Sequence, residues 1–159
     1  MNSAVLSACG RYRYRLTRVW GTGAAATFVM LNPSTATAEA NDATVSRCCV
    51  FARSWGCGSL VVVNLYAWRS RTPAALWQAA DPVGPDNDQH LQTAAEDSAA
   101  AGGPLVAAWG MNARPDRVAA VLALPGTDRL AVLALTGAGH PRHPLYLPRD
   151  LTPVPWQRS

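Results

Sequence analysis

Leu60-Val61-Val62-Val63-Asn64-Leu65-Tyr66-Ala67-Trp68-Arg69 is the stretch that decides the fold. Its opening run is apolar without alternation, as expected for a strand buried on both faces of a helix-covered sheet. It stops at Asn64, and an aromatic, basic segment follows. Upstream, Asn41-Asp42 offers a helix N-cap, Val45, Cys48, Cys49 and Ala52 recur at helical spacing, and Gly56 is a stop signal. Downstream, Thr72–Ala80 reads as a short helix with Pro73 in its first turn. A Pro/Gly/Asp loop spans Asp81–Asp88, and a helix from about Asp86 to Ala101 ends at Gly102-Gly103-Pro104. Leu105–Trp109 is a second buried strand, residues 112–124 a helix that tolerates Pro115 in its first turn, and Leu130–Leu135 a last strand. From Gly137 onward the chain is rich in Pro and is expected to wrap the surface.

Before these elements, Arg11–Trp20 alternates polar and apolar residues, as a half-buried strand does. Tyr12, Tyr14 and Leu16 would share one face and Arg11, Arg13 and Arg15 the other. Gly21-Thr22-Gly23 reads as a tight turn into a strand at about Ala26–Leu31, so the two are expected to pair as a hairpin. Strands separated by helices imply parallel pairing with right-handed crossovers. The expected fold is a three-layer α/β/α domain over residues 1–159, with a mostly parallel central sheet and an N-terminal β-hairpin.

Composition agrees. The chain has 159 residues, 49% apolar and 15% charged. A domain of this size buries about 68–70% of its unfolded surface and needs no staple to fold. No apolar run is long enough to span a bilayer. Met1–Gly10 lacks both a basic cluster and an apolar core, so no signal peptide and a cytoplasmic location are expected. The net charge is +4, and every basic residue is arginine. Residues 1–80 hold most of the arginines but only Glu39 and Asp42 as acids. Arginine's planar fork suits phosphate, although a genome bias gives the same composition. Cys9, Cys48, Cys49 and Cys57 form no Cys-x-x-Cys pair and no zinc spacing, so neither a metal nor a disulfide is expected.

The carboxyl ends of strands in an open α/β sheet line one crevice, where ligands bind. Four polar segments stand at such ends: Leu31-Asn32-Pro33-Ser34, Asn64–Arg69, Trp109-Gly110, and Gly139-His140-Pro141-Arg142-His143-Pro144. Asn32 can position a water or read a base edge; Asn-Pro is also a common turn signal. Ser34, Thr35 and Thr37 supply donors for a phosphate. Asn64, ending the most buried strand, needs a partner from a loop or from a ligand. Tyr66 and Trp68 interleave with Arg69 and Arg71, which suits base stacking and phosphate contact; Trp68 packed into the core is the competing view. Trp109 reads either as a pocket wall or as a core residue beside a turn. His140 and His143 can donate to a developing anion. His90 is expected to be a surface or cap residue. No Gly-x-Ser-x-Gly elbow and no Gly-rich phosphate loop is present.

The words Leu31-Asn32-Pro33-Ser34-Thr35-Ala36, Asn64-Leu65-Tyr66-Ala67, Asp81-Pro82-Val83-Gly84-Pro85-Asp86-Asn87-Asp88, Ala108-Trp109-Gly110 and His140-Pro141-Arg142-His143-Pro144-Leu145 resemble the bacterial and phage family catalogued as domain of unknown function 1643. In their order, the motifs are also similar to the uracil-DNA glycosylase superfamily. Met30-Leu31-Asn32-Pro33-Ser34 stands where its mismatch-specific branch has Gly-Ile-Asn-Pro-Gly, whose Asn positions the hydrolytic water. Asn64 stands where a strand-ending Asn reads the base, Trp109-Gly110 where several members have Trp-Gly or Leu-Gly, and His140-Pro141 or His143-Pro144 where a His-Pro-Ser-Pro loop donates to the base oxygen and inserts into DNA. Met30, Ser34 and Arg142 replace residues of those motifs.

That resemblance implies an N-glycosidic-bond hydrolase acting on a modified or deaminated base in DNA or a nucleotide, flipped or unpaired. Asn32, His140 and His143 would be catalytic. Pro33, Ser34, Asn64, Tyr66, Trp68 and Trp109 would hold the substrate, and Arg69, Arg71 and Arg142 the phosphates. No cofactor and no membrane partner is implied. Two alternatives stand beside it. One is a binding module with the same pocket and no cleavage, favoured by the lack of a carboxylate beside Asn32. The other is a hydrolase with His140 and His143 on a metal.

Overall fold

The computed structural model describes residues 2–158. The strands are β1 (Ser3–Leu6), β2 (Arg13–Val19), β3 (Ala25–Met30), β4 (Ser59–Asn64), β5 (Leu105–Ala107), β6 (Ala131–Val132) and β7 (Val154–Pro155). The helices are α1 (Ala43–Ser54), α2 (Pro73–Leu76), α3 (Asn87–Ala101) and α4 (Pro115–Leu122). The sheet runs β1-β2-β4-β3-β5-β6-β7. Its centre, β4-β3-β5-β6, is parallel, while β1-β2, β2-β4 and β6-β7 are antiparallel. The sheet is therefore mixed, with antiparallel pairings at both flanks.

Period-two alternation divides the strand side chains between two helical layers. Phe28, Met30, Leu60, Val62, Val106 and Leu133 pack with Val45, Cys48, Phe51 and Ala52 of α1. Val29, Val61, Val63, Leu105 and Val132 pack with Leu91, Ala94 and Ala95 of α3 and Val121 of α4. Right-handed crossovers require this arrangement. The chain leaves β3 one way, through α1 to β4. It then returns the other way, through α3 to β5 and α4 to β6. The direction reverses around β3, and the strand-end loops there part to open a crevice.

Asp42 is the N-cap of α1, its Oδ1 accepting from Val45 N at 2.9 Å. Helix α2 is capped by Thr72, with Pro73 first inside it, but ends at Leu76. Gly102, in the left-handed region, ends α3. Close approach explains its neighbour: a Cβ on Gly103 would lie 2.1 Å from Ala25 O.

The expected hairpin between β2 and β3 does not form. Strand β4 lies between them, antiparallel to β2 and parallel to β3. Parallel pairing with β3 and antiparallel pairing with β2 satisfy both edges of the apolar Leu60–Val63 run. The N-terminal hairpin is instead β1 with β2. At the other flank the Pro-rich tail contributes β7.

A slip of one residue interrupts the β1-β2 ladder: Val5 faces Arg15, yet Leu6 faces Arg13. Tyr14 is the extra residue, and the slip exchanges the faces of everything before it. Arg15 pairs with Asp97 of α3 at 3.6 Å, and Tyr14 stacks on His90 of the same helix at 4.7 Å. Leu16 packs on the α1 side. Arg13, expected on a solvated face with Arg15, is 2% exposed and turned to the α1 side, where its Nη1 donates to Ala36 O at 2.7 Å. Arg18 is buried there too, donating to Asn41 Oδ1 and to the carbonyls of Thr37 and Ala40.

Candidate functional site

A cavity of about 390 Å³ opens at the carboxyl ends of β3, β4 and β5. Met30, Leu31, Asn32 and Ser34 reach it from β3 and its loop, Asn64 from β4, Trp109 and Gly110 from beyond β5, and Arg142 and His143 from the loop after β6. Asp42, Thr44 and Val45 bring the N-terminus of α1 against it, and Arg13 enters from β2.

Asn32 is fixed by its amide, which donates to Ser70 O at 2.9 Å and to Pro33 O at 3.0 Å. Its Oδ1 is not used in these bonds. The rest of its loop is braced as well. Ser70 N donates to Pro33 O, Ala36 N to Asp42 Oδ2, and Arg13 to Ala36 O, so one residue, Ala36, links Arg13 to Asp42.

Asn64 is 1% exposed, and neither its Oδ1 nor its Nδ2 has a hydrogen-bond partner. Its main chain, by contrast, is tied down: Asn87 Nδ2 donates to Asn64 O at 2.9 Å and to Leu65 O at 3.1 Å, and Arg117 Nε donates to Leu65 O at 2.8 Å. A buried carboxamide with both polar atoms unpaired is costly, and such groups are rare in folded proteins. Arg13 is in a similar state, because its Nε has no acceptor. Burial pulls its guanidinium down to about 10, with Asp42 acting in the opposite sense.

His143 Nδ1 accepts from Leu145 N at 3.2 Å, which leaves the proton of a neutral ring on Nε2. Burial holds its pKa below the ordinary histidine value, and Asp42 opposes that effect. Gly110 N donates to Pro141 O at 2.8 Å, which fastens the His143 loop to the end of β5. Trp109 is 2% exposed and meets Trp156 edge-on at 5.5 Å.

Of the residues singled out in the sequence, Asn32, Ser34, Asn64, Arg71, Trp109, Arg142 and His143 line this cavity. Others do not. Pro33 is buried beneath the loop. Tyr66 is 2% exposed in the α3-side core, set edge-on to Trp77, with its hydroxyl accepting from Arg114 N at 3.2 Å. It is a packing residue, because the chain turns its side chain away as it leaves β4. Trp68 packs edge-on against Tyr12 at 5.5 Å. Arg69 lies outside the cavity with Trp68, in shallow surface depressions that continue from it through Ser34 and Arg71. His140 is held in a turn by paired bonds with Thr136, which lines the cavity, but does not line it itself; His143 is the loop's cavity histidine. No cluster of three or more His, Cys, Asp or Glu able to hold a metal occurs among the described residues. Nor, among those residues, is any helix long and apolar enough to cross a membrane.

Arg13 and Asp42 also line the cavity, and neither is legible as a site residue in the sequence. Arg13 was hidden by the slip in the ladder. Asp42 was read correctly as a helix cap, but nothing local showed that the cap also faces the crevice. It supplies the carboxylate that the Asn32 segment lacks.

Over residues 13–145 the chain matches the family described as Protein of unknown function (DUF1643), and it belongs to that family. No curated protein and no solved structure matches it. The matched span begins at Arg13 and ends at Leu145, the first and last residues to line the cavity.

Proposed function

We propose that this protein is an N-glycosidic-bond hydrolase that acts on a modified or deaminated nucleobase in DNA or a nucleotide. The observation that carries the reading is Asn64: a rigidly held carboxamide, buried in a cavity wall, with donor and acceptor both unpaired. A base edge offers the complementary pair. The cavity's volume lies within the range for small-ligand sites.

Each neighbour then has a role. Asn32, anchored through its amide, turns its carbonyl oxygen to a water that attacks the sugar carbon. Asp42 accepts the proton from that water, so the base step does not rest on Asn32 alone. As the bond to the base breaks, negative charge grows on the base, and His143 donates from Nε2 to stabilise it. A neutral donor suits this task, since it needs no titration at pH 7. Trp109, packed mainly in the α3-side core, adds apolar surface to the lining. Outside, Arg71, Arg69, Ser70 and Arg11 over the Trp68 ring make a basic path leading from the cavity, suited to phosphates. That path favours a nucleic-acid strand over an isolated base.

The test is release of free base from oligonucleotides carrying a panel of deaminated and modified bases. Asn32→Ala is expected to lower release by at least about 100-fold with an unchanged circular-dichroism spectrum. Full activity in this variant removes Asn32 from the mechanism. Tight binding to one modified base with no release across the panel identifies a binding module instead.

A further inference from the structure

We propose that the ligand carries an anionic oxyacid group, a carboxylate or a phosphate, and that Arg13 is the specificity residue that holds it inside the cavity beside Asn64. The inference rests on the cavity being the nucleobase pocket described above, but not on whether a bond is cut there.

Arg13 is unusual in its lack of compensation. It is 2% exposed, yet its one hydrogen bond to protein is from Nη1 to Ala36 O, and its buried Nε has no acceptor. Among the described residues the ion pairs are Arg15 with Asp97 and Arg117 with Asp88, so no carboxylate lies within 4.0 Å of Arg13. Asp42 is linked to it by hydrogen bonds only through residue Ala36, and its oxygens accept from Val45 N and Ala36 N. A guanidinium keeps its charge under these conditions, and a buried charge without a partner is strongly unfavourable. Its planar edge of N–H groups fits two oxygens of one anion.

The surroundings point the same way. Met30, Val45 and Val62 make this part of the lining apolar, which strengthens any charge pair formed there. Arg71 and Arg142 also reach the cavity, so three arginines and a single aspartate line it. A neutral base edge would satisfy Asn64 and leave Arg13 as it is. A base that carries or is joined to an anionic group would satisfy both, the base edge pairing with Asn64 and the anion with Arg13. The anion can belong to the base, as a ring carboxylate, or to the nucleotide, as a phosphate.

Calorimetric titration of the full-length protein with 2′-deoxyuridine, 5-carboxy-2′-deoxyuridine and 2′-deoxyuridine 5′-monophosphate separates these sources. At least one charged probe is expected to bind about tenfold or more tighter than the neutral nucleoside. The one that does identifies the source. Arg13→Gln is expected to shrink that preference below about threefold. The proposal is overturned if the neutral nucleoside binds as tightly as both anions, if none of the three binds, or if Arg13→Gln weakens all probes by the same factor. Should Arg13→Gln not fold, Asn64→Asp places a like charge beside the anion in a side chain of the same shape. That variant is expected to lose the charged probe selectively, and an unchanged preference overturns the proposal. Anion preference without base release keeps this inference and removes the hydrolase; base release without anion preference does the reverse.

Discussion

Arg117 and Arg13 are both buried, on opposite sides of the same sheet, and they are treated differently. Arg117, 8% exposed, reaches Asp88 at 2.7 Å through Nη2 and Leu65 O at 2.8 Å through Nε. Arg13, 2% exposed, has one carbonyl and no carboxylate. The asparagines repeat the contrast. Asn87 spends its amide on two carbonyls, while Asn64 leaves both polar atoms unpaired. On the α3 side, Arg117 and the Asn87 amide nitrogen clamp the end of β4, with Asn87 Oδ1 left unpaired. At the cavity, Arg13 Nε and both polar atoms of Asn64 are left open, whereas Arg18, on the same α1 side, is bonded through all three of its nitrogens. Pairing adds stability, and the unpaired groups that also line the cavity are the ones we propose a ligand engages.

The sharpest way to break this comparison is to replace each arginine by methionine. Arg117→Met is expected to cost about 2 kcal/mol in urea unfolding, because it leaves Asp88 without its partner and Leu65 O with the Asn87 amide alone, the exposed side of Asp88 limiting the loss. Arg13→Met is expected to cost less than about 1 kcal/mol, since deleting an uncompensated buried charge offsets the lost bond to Ala36 O. If the two variants unfold at the same urea concentration, the contrast between the two sides fails.

A second variant separates Asp42's two duties. Asn is as good an N-cap as Asp and keeps the bond from Val45 N, giving up only the longer one from Ala36 N, so Asp42→Asn is expected to lower the melting temperature by no more than a few degrees. It loses the proton acceptor, and base release is expected to fall by about 30-fold. Equal losses of stability and activity would make Asp42 a cap and nothing more.

The smallest effect concerns pH. Burial lowers the pKa of His143 from the ordinary value of about 6.5. The unfolded chain therefore takes up this proton at a higher pH than the folded one. Stability is expected to be complete above about pH 6.5 and to decline as pH falls below it. The acid limb of the activity profile should lie below that value for the same reason. His143→Gln, which retains an N–H donor, is expected to remove that limb; a limb unchanged in this variant assigns it to another group.

Much of this was legible in the chain. Unbroken apolar runs at Leu60–Val63 and Leu105–Ala107 gave buried parallel strands, and Asn32, Asn64, Trp109 and His143 at strand ends gave the crevice. What was not legible depends on pairing between distant segments. The insertion of β4 between β2 and β3 leaves no mark in either strand. Alternation in Arg11–Trp20 has meaning only for an unbroken pleat, so the slip at Tyr14 concealed Arg13. Tyr66 and Trp68 have the composition of a stacking platform, but packing against Trp77 and Tyr12 decides their places. Between His140 and His143 only the path of the loop chooses.

The bulge at Tyr14 also bears on how chains of this kind can diverge in length. Most strands cannot lose a residue without turning their remaining side chains inside out. Here the loss of Tyr14 would leave Arg13 and Leu16 two positions apart in a regular pleat, still directed toward α1, while the stack on His90 would vanish. The strand carries a spare link. Shortening it would loosen its seat on α3 and spare the cation, whereas loss of Tyr12, on the other side of Arg13, would remove the bridge to Trp68, the stack on Tyr14 and the bond to Asp81 O.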